Sequence, residues 1–113
     1  MSDCIFCKIV AKEIPAQIMY EDEFVLAFKD LSPQAPTHIL IIPKTHVENF
    51  LEAAQHQGMN DQIFTGIANL VKEQGWNPNG FRVVSNCGSK AGQSVFHLHF
   101  HLLGGRELTW PPG

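Results

Sequence analysis

The chain has 113 residues, with 8 Lys and Arg against 11 Asp and Glu, a formal net charge of -3, and 44% hydrophobic residues. That composition describes one globular domain with a core of its own and no low-complexity tail. The cations are scattered, which excludes a groove for polymeric nucleic acid, and no apolar run approaches the roughly 20 residues of a membrane span.

The opening Met1-Ser2-Asp3-Cys4 lacks the basic and apolar regions of a signal peptide, so a cytoplasmic protein is expected. Three cysteines, an odd number, argue against a disulfide framework. In chain order, Phe6 to Lys12 has helical character and Pro15 ends it. Gln17 to Tyr20 and Phe24 to Lys29 read as two strands turned at Glu21-Asp22-Glu23. Asp30 to Pro36 is a proline-bounded loop, and His38 to Ile42 is a β-branched strand stopped by Pro43.

Two helical stretches follow Lys44-Thr45-His46. The clearer runs from Asn60 to Gln74, with Ile63, Phe64, Ile67, Leu70 and Val71 at helical spacing and Gly75 as its stop. Phe81 to Ser85 is another strand, Asn86 to Gln93 a glycine-rich loop, and Ser94 to Leu103 the last strand. Gly104 to Gly113 forms no regular element. The expected fold class is α+β: an antiparallel sheet of about five strands with helices packed on one side.

The last strand carries the chemistry. His97, His99 and His101 alternate, so they project from one face while Phe96, Leu98, Phe100 and Leu102 project from the other. Three readings compete: histidines that are only hydrogen-bonded, a metal site made of all three, or a catalytic face. The outer two Cα atoms of such a strand sit roughly 13 Å apart, which makes convergence on one ion awkward. Catalysis is the preferred reading, with one ring flanked by groups that orient it. The preceding loop, Asn86-Cys87-Gly88-Ser89-Lys90-Ala91-Gly92-Gln93-Ser94, offers small residues and short polar donors suited to a phosphoryl group.

His97-Leu98-His99-Phe100-His101-Leu102-Leu103 resembles the signature of the histidine triad family. The likeness extends along the chain through Cys4-Ile5-Phe6-Cys7-Lys8-Ile9, the Asp30 to His38 segment, Ile42-Pro43-Lys44 with His46, Gly92 to Phe96 and the closing Trp110-Pro111-Pro112-Gly113. That ending points to the nucleotide-binding branch, the purine nucleoside phosphoramidases.

The resemblance implies that His99 attacks the α-phosphorus of a nucleoside 5′-phosphoramidate, forming a nucleotidyl-histidine that water hydrolyses. It implies that His38 orients the rings or relays protons and that His101 bonds the phosphate. Asn86, Gln93, the Ser94 side chain and the Val95 amide would hold phosphate oxygens or the leaving group. Asp30 would accept the ribose hydroxyls, and Ile5, Phe6, Ile9, Phe28 and Leu31 would line the base slot, although those five also read as plain core.

Cys4, Cys7, His46 and His97 form a tetrahedral zinc set, structural in character, similar to one in metal-binding members of the superfamily; other members of this branch lack both cysteines. Cys87 reads as a small loop residue and His56 as solvated. The resemblance further implies one domain over residues 1–113 and a homodimer, in which the 104–113 tail brings Trp110 toward the partner's site. Two rival functions remain open at this stage: a dinucleotide polyphosphate hydrolase or nucleotidyl transferase using the same His99, and a non-catalytic nucleotide-binding adaptor.

Overall fold

A computed structural model describes residues 3–75 and 79–113; Met1 and Ser2, part of the opening read against a signal peptide, lie outside it. The elements are α1 (Ile5–Val10), β1 (Ile18–Glu21), β2 (Val25–Lys29), β3 (Thr37–Pro43), α2 (Phe50–Ala53), α3 (Met59–Gln74), β4 (Phe81–Val84) and β5 (Phe100–Gly104). The five strands form one antiparallel sheet in the order β1-β2-β3-β5-β4. Among the described residues, no helix is long and apolar enough to cross a membrane.

Strand alternation builds two cores. Val25, Ala27, Ile39, Ile41, Phe100 and Leu102 meet Ala53 of α2 and Ile63, Ile67, Leu70 and Val71 of α3 on one face. Leu26, Phe28, Leu40 and Ile42 point the other way and meet Phe6 and Ile9. The main helical layer therefore lies on one side as expected, and the short α1 adds cover to the other. Phe64, read from its spacing as part of the core face, is half-exposed at the rim, with its ring edge-on to Phe100 at 5.5 Å.

Gly75 ends α3 with φ of 71°, the left-handed conformation that favours glycine. Asn49 caps α2 through Oδ1, which accepts from the amides of Leu51 and Glu52. Inside α3, Gly66 lets the helix sit close on β2: a Cβ there would lie 2.5 Å from Val25 Cγ2. Val25 is β-branched and cannot swing away cheaply, so Gly66→Ala is expected to cost about 2–3 kcal/mol of overpacking, only partly offset by about 1 kcal/mol of helix propensity. A denaturant midpoint equal to wild type would contradict this packing.

The histidine strand is shorter than its pattern predicts. Expected over Ser94 to Leu103, it begins only at Phe100. The β3–β5 ladder closes with Ile41 opposite Phe100, and the next outward position on β3 in register with Leu98 is Pro43, which has no N–H to give. The Leu98 amide instead donates to the Val47 carbonyl at 2.7 Å. Phe96, expected on the apolar face, is about half-exposed, whereas Leu98 is fully buried.

Candidate active site

The three rings of the triad make three separate sets of contacts. His97 and His99 still face α1, each meeting the Phe6 ring edge-on at centroid distances of 5.9 and 5.1 Å. Their backbone lies outside the ladder, so nearby carbonyls are available to the ring nitrogens. Those carbonyls set the tautomers, because an oxygen of this kind only accepts.

His99 Nδ1 lies 2.8 Å from the His97 carbonyl, so Nδ1 carries the proton and donates. The lone pair of His99 is thereby placed on Nε2. Behind it, the Ser85 hydroxyl donates to the His99 carbonyl at 3.0 Å and fixes the backbone from the β4 side. His99 as a whole keeps 7% of its surface accessible.

His38 and His101 are joined ring to ring by a hydrogen bond. The Gln34 amide donates to His38 Nδ1 at 3.0 Å, which leaves the His38 proton on Nε2. That nitrogen lies 2.9 Å from His101 Nδ1, so His101 accepts there and keeps its own proton on Nε2 as a donor. The Asp30 carboxylate stands 3.5 Å from His38 Nε2, and its other oxygen accepts from the Ser32 amide. Burial holds His38 below the ordinary imidazole range despite the opposing Asp30 charge. Burial, followed by the neighbouring His99 and His38, pushes His101 down to about 4.

His101 is thus a neutral donor at pH 7. Between its unfolded value near 6.5 and its folded value of about 4, the unfolded chain binds this proton more readily. The contribution of His101 to stability is complete above pH 6.5 and declines as the pH falls through that window. The ring signals of His101 should stay flat from pH 8 to about 5 in a nuclear magnetic resonance titration. A midpoint near 6.5 would contradict the burial.

His97 serves the second cluster. It is fully buried, and its Nε2–H donates to the Pro43 carbonyl at 2.8 Å. Burial holds it below its ordinary range, so the neutral ring presents the Nδ1 lone pair. That atom lies 3.4 Å from Cys4 Sγ, 3.5 Å from Cys7 Sγ and 3.1 Å from His46 Nδ1, with Cys7 Sγ 3.3 Å from His46 Nδ1. A tetrahedral zinc shell would set nitrogen–nitrogen edges near ~3.4 Å and sulfur–nitrogen edges near ~3.6 Å. The donor set fits a metal in chemistry and in size, and the Pro43 carbonyl supplies the outer hydrogen bond that orients a ligating imidazole.

Asp30, His38 and His101 also bring one donor atom each within 4.8 Å. Their hydrogen bonds disqualify them as a metal site. The Gln34 amide occupies the His38 Nδ1 lone pair, so the neutral ring must keep a proton on the Nε2 that would have to ligate. One cluster therefore offers lone pairs, and the other is closed by its own hydrogen bonds.

The expected phosphate and base contacts divide. Gln93 is buried and its amide is spent on the backbone: Nε2 donates to the Glu48 and Val95 carbonyls, and Oε1 accepts from the Gly88 amide. In this structure it holds the loop in shape and has no amide proton to spare for a phosphate. Ser94 is exposed, and Asn86 and Val95 are half-buried. Phe6, Ile9 and Phe28 are core beneath the rings, while Ile5 is about half-exposed and Leu31 stands 98% exposed. Trp110 is 81% exposed on a tail pinned to β4 by Arg82, whose Nη2 donates to the Thr109 and Leu108 carbonyls. His56 is solvated, as expected.

Sequence reasoning missed Ser85, the Pro43 carbonyl and the Gln34 amide. The last two act through the main chain, where residue type leaves no trace.

Residues 11–108 match the family model described as HIT domain. The chain belongs to the HIT domain family. The matched segment begins after Cys4 and Cys7 and includes His46 and the whole triad. An uncharacterized HIT-like protein of Synechococcus elongatus is 51% identical over 98% of this chain and 97% of its own length. A 14 kDa zinc-binding protein of Zea mays is 49% identical over 99% of this chain and 89% of its own. Among solved structures, a HIT family hydrolase from Legionella pneumophila superposes with a TM-score of 0.92 at 46% identity, covering 98% of this chain and all of that one.

Proposed function

We propose that this HIT domain protein hydrolyses purine nucleoside 5′-phosphoramidates through a covalent nucleotidyl-His99. The observation that carries the reading is the 2.8 Å bond from His99 Nδ1 to the His97 carbonyl, which places the lone pair on Nε2. That pair attacks the α-phosphorus as the phosphorus–nitrogen bond breaks and the departing amine takes up a proton from solvent. Water then attacks the phosphorus, gives up a proton, and returns the pair to Nε2. His101 donates its Nε2–H to a phosphoryl oxygen, and His38 holds it in that tautomer. Ser94 and the Val95 amide add donors, each worth about 10²–10³ in rate. Asp30 receives the ribose, and Ile5 and Leu31 rim the base slot over Phe6, Ile9 and Phe28.

Cys4, Cys7, His46 and His97 would hold zinc. Bound there, zinc supplies structural cross-linking between α1, the segment after β3 and the approach to β5, with its four positions filled by protein. The name of the maize relative supports this choice of metal. The working unit is a homodimer in the cytoplasm, with the 104–113 tail presenting Trp110 to the partner's site. Comparing initial rates on adenosine 5′-phosphoramidate and a diadenosine polyphosphate tests the reading. Faster release of AMP from the phosphoramidate is expected; preference for the dinucleotide would move the protein to the rival activity.

A further inference from the structure

We infer that Arg106 is a positioning residue that sets where the protons of the catalytic relay reside; the inference rests on the functional reading above. Three hydrogen bonds run in series from the tail to the site. Arg106 Nε donates to the Gln34 carbonyl at 3.0 Å, the Gln34 amide donates to His38 Nδ1 at 3.0 Å, and His38 Nε2 donates to His101 Nδ1 at 2.9 Å. The guanidinium is steadied by a second bond from Nη1 to the Glu107 carbonyl.

Gly105 provides an independent contact with the same loop. Its φ is 88°, and a Cβ added there would lie 2.9 Å from Pro36 Cβ, so the turn seats directly on the proline ring. Gly105 and Arg106 together latch the Gln34–Pro36 segment from outside; within the loop, Ala35 is buried and Gln34 Nε2 donates to the Ser32 carbonyl at 3.1 Å.

The latch matters because the Asp30 carboxylate, 3.5 Å from His38 Nε2, stands at the limit of hydrogen-bonding range and by itself only biases the proton toward that nitrogen. Released from the Gln34 amide, His38 is free to carry its proton on Nδ1, with Nε2 as an acceptor. His101 would then donate from Nδ1, leaving its Nε2 bare and facing phosphoryl oxygens as a second acceptor. One lost main-chain contact thus lets both tautomers of the relay be populated, although the rings need not move.

Arg106→Ala tests the inference, with Arg106→Lys as the variant that keeps one donor. Long-range proton–nitrogen spectra of the histidine rings should show wild-type His38 protonated at Nε2 and the alanine variant averaging between both nitrogens. With adenosine 5′-phosphoramidate, kcat should fall about tenfold while KM stays within about twofold, and the lysine variant should recover most of the loss. Unmoved His38 nitrogen signals, or a kcat within about twofold of wild type, would overturn the assignment. Should the wild type prove inactive on that substrate, the nitrogen spectra still decide the question, so the two readings fail separately.

Discussion

Replacing His99 by alanine should reduce turnover of a nucleoside phosphoramidate by about 10⁴-fold or more, while AMP affinity changes by no more than a few fold. The split follows from the duties of the rings. His99 alone presents an unprotonated Nε2 from a carbonyl-fixed tautomer; His101 presents a proton, and His97 is turned toward the cysteines. The variant leaves the His97 carbonyl without its donor, a penalty of about 1–3 kcal/mol that the two cores can absorb. Turnover within about tenfold of wild type would remove His99 from the nucleophile's role. So would trapping the nucleotide on His38 or His101. Losing only the His101 donor should cost less, about 10²–10³.

Much of this arrangement was legible in the residues because it depends on side-chain type and period. The apolar spacing of Ile63, Ile67, Leu70 and Val71 gave α3 within one residue at its start, and the β-branched run before Pro43 gave β3. The pairing of Cys4 and Cys7 with His46 and His97 came from ligand chemistry and the family likeness, and the four donor atoms do converge.

What was not legible depends on the main chain. Pro43 reads as a strand stop, yet its missing N–H also ends the neighbouring ladder, and its carbonyl then orients His97. Gln93 carries the same amide whether it binds a phosphate or braces a loop, and only its burial against Gly88 and Glu48 separates the two. Likewise, helical spacing sets Phe6 and Ile9 on one side of α1 and alternation sets Phe28 on the sheet face that meets them, but neither tells pocket lining from core. Leu31 differs because it stands in solvent, where an apolar side chain gains nothing unless a ligand covers it.

Cys4→Ser should abolish stoichiometric zinc binding and lower the melting temperature by on the order of 10 °C, since a bound metal at a thousand times its Kd contributes about 4 kcal/mol. Serine is the informative replacement because Cys4 both caps α1 and belongs to the proposed ligand set. Its sulfur accepts from the Cys7 amide at 3.4 Å as the cap of α1, and a serine oxygen caps at least as well. The change therefore removes the sulfur from the proposed ligand set and spares the helix.

Activity should fall several fold without vanishing. His97 would lose the metal on Nδ1 but keep its Nε2 bond to Pro43, while Leu98 stays tied to Val47, so the carbonyl facing His99 remains nearly in place. Zinc retained at the wild-type level would show that the ligand set is wrong. Complete loss of turnover in a folded variant would show that the metal does more than hold α1 against the triad.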